Sequence, residues 1–493
     1  MSNNLRIYVN LPFTLCLIFL FKMSVSGQEI PFFTTDFPPE EFAARREKVF
    51  DAIGKNGIAL IQGEPSPKGY TRFRQSNEFY YLSGIEVPHA YLLLNGARRT
   101  TSLYLPHRNE TRERAEGKVL SAEDAEMIKQ LSGITDVFSS EMLGEHLVGF
   151  ARAGEIPVIF TPFQPAESSA MSRDLAIRVI SDAAADPWDG GESREGHFIG
   201  LIRNRFPQFE IKNLTPTLDK LRLIKSPREI ALIRKATRLS GLALMEAMRS
   251  TVPGITEYEL DAMAKYIYYL NGAQGDAYYS LIASGTNAWY PHYNAGKRVM
   301  KDGDFLLMDY APDVGYYMSD VTRMMPVNGK FSPWQRELYG FYLACYKSIL
   351  KNIKSGLTAQ TIKQAAAREM QGILQSSKFS KPIYEKAARE FVGSYQKSTE
   401  SPNTSLGHWI GMATHDVGGQ DGSPLRTGMV FSIEPALRVP EEKIYIRLED
   451  VIIITEQGAE ILTSFVPMEI AEIEKLMQED GILQKYPKDK NQE

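Results

Sequence analysis

Asp309, Asp320, His408, Glu434 and Glu449 stand in the last two fifths of the chain, each inside or beside an apolar, strand-like run. Buried carboxylates gathered in one place repel one another and take up protons unless cations hold them. Four carboxylates with one imidazole therefore read as a ligand set for two divalent metal ions, whose charges would balance the four negative ones. An oxygen-rich set of this kind suits Mn²⁺, Zn²⁺, Co²⁺ or Fe²⁺ and disfavours Cu(I) and iron–sulfur clusters.

The elements that must position these residues are legible as hairpins. Phe305–Asp309 reads as a buried strand and residues 315–324 as its return, with a turn at Pro312-Asp313 between them. Asp309 and Asp320 are symmetric about a point between Val314 and Gly315, which in an antiparallel hairpin sets their Cα atoms about 5 Å apart. The construction recurs where residues 430–437 and 444–454 flank Pro440-Glu441-Glu442-Lys443, with Glu434 and Glu449 symmetric about that loop. Each hairpin is expected to present two carboxylates. Arg447 lies two positions from Glu449, hence on the same strand face.

The motifs Met308-Asp309, Ser319-Asp320-Val321-Thr322-Arg323, His408-Trp409-Ile410-Gly411, His415-Asp416-Val417-Gly418, Ile433-Glu434-Pro435 and Ile446-Arg447-Leu448-Glu449-Asp450 occur in that order along the chain. Together they resemble the successive motifs of the creatinase/aminopeptidase ("pita-bread") metallopeptidases. Residues 72–84, Arg-Phe-Arg-Gln-Ser-Asn-Glu-Phe-Tyr-Tyr-Leu-Ser-Gly, are similar to the amino-terminal domain of aminopeptidase P. The resemblance runs from about residue 40 to 465 and is weakest over 155–205. It implies an α/β amino-terminal domain followed by an α+β pita-bread catalytic domain. The expected divisions are a signal peptide at 1–27, the aminopeptidase P-like domain at 28–220, the catalytic domain at 221–475 and a polar tail at 476–493.

The resemblance also implies roles. Asp309 and Asp320 bind one metal, with Asp320 bridging, and His408 and Glu434 bind the second, with Glu449 bridging. Glu434 doubles as the proton shuttle, His415 stabilises the oxyanion of the substrate carbonyl, and His292, in Pro291-His292-Tyr293, serves the leaving side. Arg447 supports a metal-bound aspartate, and Tyr278, or Tyr279 shifted into its place, lies on the substrate side. Thr404 stands four residues before His408, where aminopeptidase P and prolidase carry a histidine that shapes the proline pocket. The leading activity is that of an Xaa-Pro aminopeptidase acting on peptide substrates. A prolidase-type dipeptidase and a non-catalytic peptide-binding relative are the alternatives, and a homo-oligomer is compatible with the family.

Size and composition agree with this. A chain of 493 residues is too long for one ordinary core, so two domains are expected. A net charge of −4 offers no basic surface for nucleic acid. Arg6, the apolar residues 11–21 and the small residues Val25, Ser26 and Gly27 before Gln28 read as a cleaved export signal, too short for a stable membrane anchor. A secreted or periplasmic location follows. Of the 2 cysteines, Cys16 lies in that signal, so Cys345 has no intrachain disulfide partner after cleavage.

Further elements are expected along the chain. Phe42, Val49, Phe50 and Ile53 have helical spacing, and strands follow at residues 58–61, 79–82, 91–94 and 102–105. Residues 182–196 read as an exposed excursion. Capping boxes at Ser226-Pro227-Arg228-Glu229 and Thr256-Glu257-Tyr258-Glu259 open two helices. A long helical pair is expected between Pro333 and Phe391.

Overall fold

A computed structural model describes residues 33–153, 158–167, 172–188 and 190–486. The expected signal peptide lies outside these residues.

The amino-terminal domain is built on a mixed sheet in the order β4-β3-β2-β1-β5-β6. Its strands are β1 (Gly57–Gln62), β2 (Tyr91–Asn95), β3 (Thr100–Leu105), β4 (Asp136–Ser139), β5 (Val158–Thr161) and β6 (Glu210–Asn213). Alternation along the strands divides the burial between two faces. Ile58, Leu60 and Leu93 pack against Leu143, Leu147, Ile202 and Phe206 of two covering helices. Ala59, Ile61, Leu92 and Leu94 face the helix Pro39–Ile53 and join a core that continues without interruption into the carboxyl-terminal half.

One expected strand is a helix. Residues 79–82 lie in the helix Asn77–Ser83, which ends at Gly84 in the left-handed conformation with φ 69°. The aromatic run suggested a strand, but Asn77 to Ser83 are all buried, and helical geometry lets the segment pack on every side. Residues 182–185 complete the helix Arg173–Ala185, and the excursion proper follows it, with Trp188 96% exposed.

The boundary expected after residue 220 falls inside the helix Thr215–Leu223, and the catalytic half opens with Pro227–Ser250. Both capping boxes form as anticipated, at Ser226 with Glu229 and at Thr256 with Glu259. Two three-stranded sheets follow. One is β8 (Leu281–Ser284), β9 (Phe305–Asp309) and β11 (Thr322–Pro326), in the order β11-β9-β8, with β7 (Gly275–Asp276) and β10 (Pro312–Asp313) pairing beside it. The other is β12 (Val430–Ile433), β15 (Asp450–Thr455) and β16 (Gly458–Ile461), extended by a ribbon of β13 (Ala436–Val439) and β14 (Ile444–Arg447). Helices Pro333–Asn352, Ala359–Ser376 and Pro382–Lys397 lie between the sheets, three where a pair was expected, because Pro382 opens a further helix. Within the expected polar tail, the short helix Ile482–Lys485 docks on the first catalytic helix, where Gln484 Nε2 donates to Ser250 O at 2.9 Å.

Candidate metal centre

The second hairpin has the anticipated register. Ile433 pairs with Asp450 and Ala436 with Arg447, so Glu434 and Glu449 face each other in the break between the two strand pairs. The first hairpin differs. Asp309 pairs with Thr322 rather than Asp320, because β10 leaves to pair with β7 and a tight turn closes between Val314 and Tyr317. That turn needs two positive φ angles, 58° at Gly315 and 72° at Tyr316. Asp320 thus precedes its strand by two residues, yet its carboxylate still meets that of Asp309. Tyr278 joins them, its hydroxyl 2.5 Å from Asp309 Oδ1 and 2.6 Å from Asp320 Oδ1. Tyr279 is 53% exposed, which decides between the two tyrosines.

His408 comes from the loop before β12. Gly407 makes its approach possible, since a Cβ there would lie 1.9 Å from Ser432 O. His408 Nε2 is 3.4 Å from Asp320 Oδ2 and Glu434 Oε1 and 3.6 Å from Glu449 Oε1. Ligand atoms of Asp309, Asp320 and Glu449 fall within 4.8 Å of one another, as do those of His408, Glu434 and Glu449, and those of Asp320, His408 and His415. All five expected ligands therefore share one cluster, with His415 at its edge.

The electrostatics of the cluster fit cations. Burial, then the charges of Glu449 and Asp309, hold the Asp320 carboxyl well above its ordinary range. Burial and Glu434 push Glu449 up as well. Burial alone would push the His408 imidazole down, but the surrounding carboxylates outweigh it and hold it well above its usual value. Glu434 goes the other way: burial raises it, yet His408 and Arg447 bring it down to about 2. Among the described residues, His408 Nε2 and Glu449 Oε1 are buried with no hydrogen-bond partner. Orphaned donors of this kind, facing each other across a carboxylate cluster, match what a divalent ion coordinates.

A rigid frame stands behind the ligands. Arg447 donates from Nη1 to Glu434 Oε2 at 2.8 Å and from Nη2 to Asp309. Thr322 Oγ1 donates to Glu449 Oε2 at 3.0 Å. The fully buried Arg323 donates to Glu449 O at 2.9 Å and to Asp450 Oδ1 at 2.6 Å, while Tyr346 OH donates to Asp450 Oδ2 at 2.8 Å and Ile433 O at 3.1 Å. The buried Arg323–Asp450 pair and Tyr346 thereby tie the backbone at two candidate ligands, Glu449 and Glu434. Such outer contacts set ligand orientation.

The amino-terminal domain holds the loop that carries His415. Asn77 Nδ2 donates to Met412 O at 3.0 Å, and Arg222 Nη2 donates to Asp416 Oδ1 at 2.6 Å. Lys225 Nζ lies 3.0 Å from Asp416 Oδ2. Ser172 forms a backbone bridge with His415, whose Nδ1 is 3.3 Å from Asp174 Oδ2. Asn77 lies in the 72–84 segment that resembles the aminopeptidase P amino-terminal domain, without a role having been assigned to it, whereas no local pattern marks Asp174, Arg222 or Lys225.

Two expected residues lie apart from the cluster. His292 is exposed on the wall of an adjoining groove of about 570 Å³, with Glu434, Arg447, Arg438 and Tyr445. Thr404 lines a separate cavity of about 40 Å³ with Trp409 and Gln420. Its hydroxyl accepts from Lys363 Nζ at 3.0 Å, and the same ammonium donates to Ser405 O at 3.0 Å. Burial pushes Lys363 down to about 8.

Fold and site together define a metallopeptidase. Residues 231–456 match metallopeptidase family M24, and residues 42–159 match the aminopeptidase P amino-terminal domain. The chain is 31% identical over 470 residues to the Xaa-Pro aminopeptidase of Haemophilus influenzae, covering 89% of this chain and 97% of that protein. It is 29% identical over 462 residues to the Xaa-Pro aminopeptidase of Escherichia coli, with the same coverage of 89% and 97%. The aminopeptidase PepP of Pseudomonas aeruginosa superposes with a TM-score of 0.72 at 27% identity, covering 90% of this chain and 98% of that one. The chain belongs to metallopeptidase family M24, and it carries the aminopeptidase P amino-terminal domain in front of the catalytic one. It is a metallo-exopeptidase of a family served by divalent metal ions. No described helix is long and apolar enough to cross a membrane.

Proposed function

We propose that this protein is an Xaa-Pro aminopeptidase that uses two divalent cations, preferably Mn²⁺, and acts as a secreted or periplasmic enzyme. The observation that carries the reading is the convergence of Asp309, Asp320, His408, Glu434 and Glu449, with His408 Nε2 and Glu449 Oε1 left without hydrogen-bond partners among the described residues. The names of the relatives support the substrate class, and the signal-like residues 1–27 support export. Assembly into homo-oligomers belongs to the same proposal.

Asp309, Asp320, His408, Glu434 and Glu449 would hold the ions. Bound there, the ions would supply Lewis acidity to a water and to the scissile carbonyl. Glu434, half-buried at the head of the groove, takes the proton from the attacking water and passes it to the departing nitrogen. His415, held by the amino-terminal domain, donates to the oxyanion. His292 orients the leaving segment from the groove wall. Arg447 and Tyr278 keep Asp309 and Asp320 in place. The preference for proline is relaxed, because Thr404 is turned to Lys363 and supplies no imidazole beside the leaving residue.

The test measures metal content after reconstitution and kcat/KM for matched Ala-Pro and Ala-Ala peptides, in wild type and Thr404→His. About two ions per chain and a proline preference that strengthens in the variant are expected. Retention of no metal would favour a non-catalytic relative. Strict proline dependence, unchanged by the substitution, would refute the role given to Thr404.

A further inference from the structure

We infer that Arg438 anchors a carboxylate on the leaving side of the substrate, three to four residues beyond the scissile bond. The inference rests on the aminopeptidase reading and adds a length and charge preference to it.

The ribbon β13–β14 forms one side of the groove, and its register places the side chains in order. Successive strand residues alternate faces, so Glu434, Ala436 and Arg438 share one face, as do Glu449, Arg447 and Tyr445 on the opposite strand. Ala436 pairs with Arg447 and Arg438 with Tyr445, continuing the ladder in which Glu434 faces Glu449. Three rungs thus lead outward: two ligands, then Ala436 with Arg447, then Arg438 with Tyr445. At about 3.3 Å per residue, the outer rung stands about 13 Å from the ligands.

The two arginines differ in their commitments. Arg447 is engaged by both Glu434 and Asp309. Arg438 is exposed, its guanidinium lies 5.1 Å from the centre of the Tyr445 ring, and among the described residues it pairs with no carboxylate. A guanidinium resting on an aromatic face keeps its donor fork for a planar carboxylate. The small side chain of Ala436 leaves the middle rung open for the peptide.

An aminopeptidase removes one residue, so everything beyond the scissile bond occupies the groove on the leaving side. An extended chain advances about 3.3–3.6 Å per residue, which makes 13 Å three to four residues. A dipeptide's carboxylate lies a single residue from the scissile bond and falls short of Arg438. The carboxylate has two sources, the carboxyl terminus of a short peptide or an acidic side chain of a longer one.

The experiment compares metal-loaded wild type, Arg438→Gln and Arg438→Lys on Ala-Pro-Ala-Ala as free acid and as amide, and on Ala-Pro-Ala-Glu-Ala amide. Wild type should favour the free acid over its amide about tenfold, mainly through KM. Arg438→Gln should abolish that ratio with kcat unchanged, and Arg438→Lys should keep part of it. Recovery on the Glu-containing amide assigns the carboxylate to a side chain, and no recovery assigns it to the carboxyl terminus. Equal use of acid, amide and Glu-containing peptide by wild type, or a ratio that persists in Arg438→Gln, overturns the inference and leaves the aminopeptidase reading standing. Failure to hydrolyse any of these peptides overturns that reading itself.

Discussion

Replacing Asp416 by Asn should destabilise the protein by about 3–5 kcal/mol, the usual cost of removing one partner from a buried ion pair. The side chains of Asp416, Arg222 and Lys225 are each 1% exposed. Arg222 retains Glu167 Oε1 at 3.1 Å after the substitution, but Lys225 has no other carboxylate among the described residues. The loss therefore falls mainly on a stranded ammonium. Gly411 leaves no slack, because a Cβ there would meet Asp416 Oδ2 at 2.1 Å and Lys225 Cε at 2.8 Å. The double variant Asp416→Asn/Lys225→Met removes both charges and should recover about 2 kcal/mol of the loss. Burial raises the Asp416 carboxyl, but Lys225 and Arg222 outweigh it and hold it below its ordinary value. Its contribution is thus complete above the unfolded pKa and is lost as pH falls through the lower folded one, so wild type and Asp416→Asn should converge on acidification. Because Asp416 adjoins His415, kcat should also fall, by up to about 100-fold for a displacement near 1 Å. Urea unfolding of the metal-free protein, together with kcat measured well below the midpoint, tests both effects. A loss under about 1 kcal/mol, or a double variant no more stable than the single one, would refute the reasoning.

Tyr278→Phe removes the hydroxyl shared by Asp309 and Asp320 and should weaken metal binding by about 10- to 100-fold, measured by competition with a chelating dye. Burial holds Lys363 at about 8 in the folded protein, below the ordinary lysine value, so between pH 8 and that value the folded state sheds its proton first and gains stability as pH rises. Discounted for partial exposure, the gain of wild type over Lys363→Met between pH 7 and 10 should be about 1–2 kcal/mol, read by denaturant midpoints at each pH.

The ligand set was legible because its chemistry is demanding: several carboxylates inside apolar strands call for cations to hold them. The second hairpin was legible in register because its strands run on either side of one loop. The first was not, since β10 abandons the hairpin for β7, a partner 36 residues upstream in the pairing of Pro312 with Asp276. Aromatic residues 79–82 suggested a strand because propensity ignores what lies on the other side, while Gly84 and complete burial made a helix. Asp174, Arg222 and Lys225 stayed hidden for a different reason. Their partners at 415–416 lie about 190 to 240 positions away, and only the folded chain brings the charges together.

The continuous core and the grip of Asn77, Ser172 and Arg222 on residues 412–416 have a consequence for biosynthesis. The amino-terminal domain leaves the ribosome first and waits for a loop made nearly two hundred residues later, and Glu449 follows later still. A nascent chain therefore holds the walls of the site before it holds the last candidate ligand. On the proposed metal chemistry, proteolytic power arrives only once Glu449 is made, so chains terminated before it are born inert.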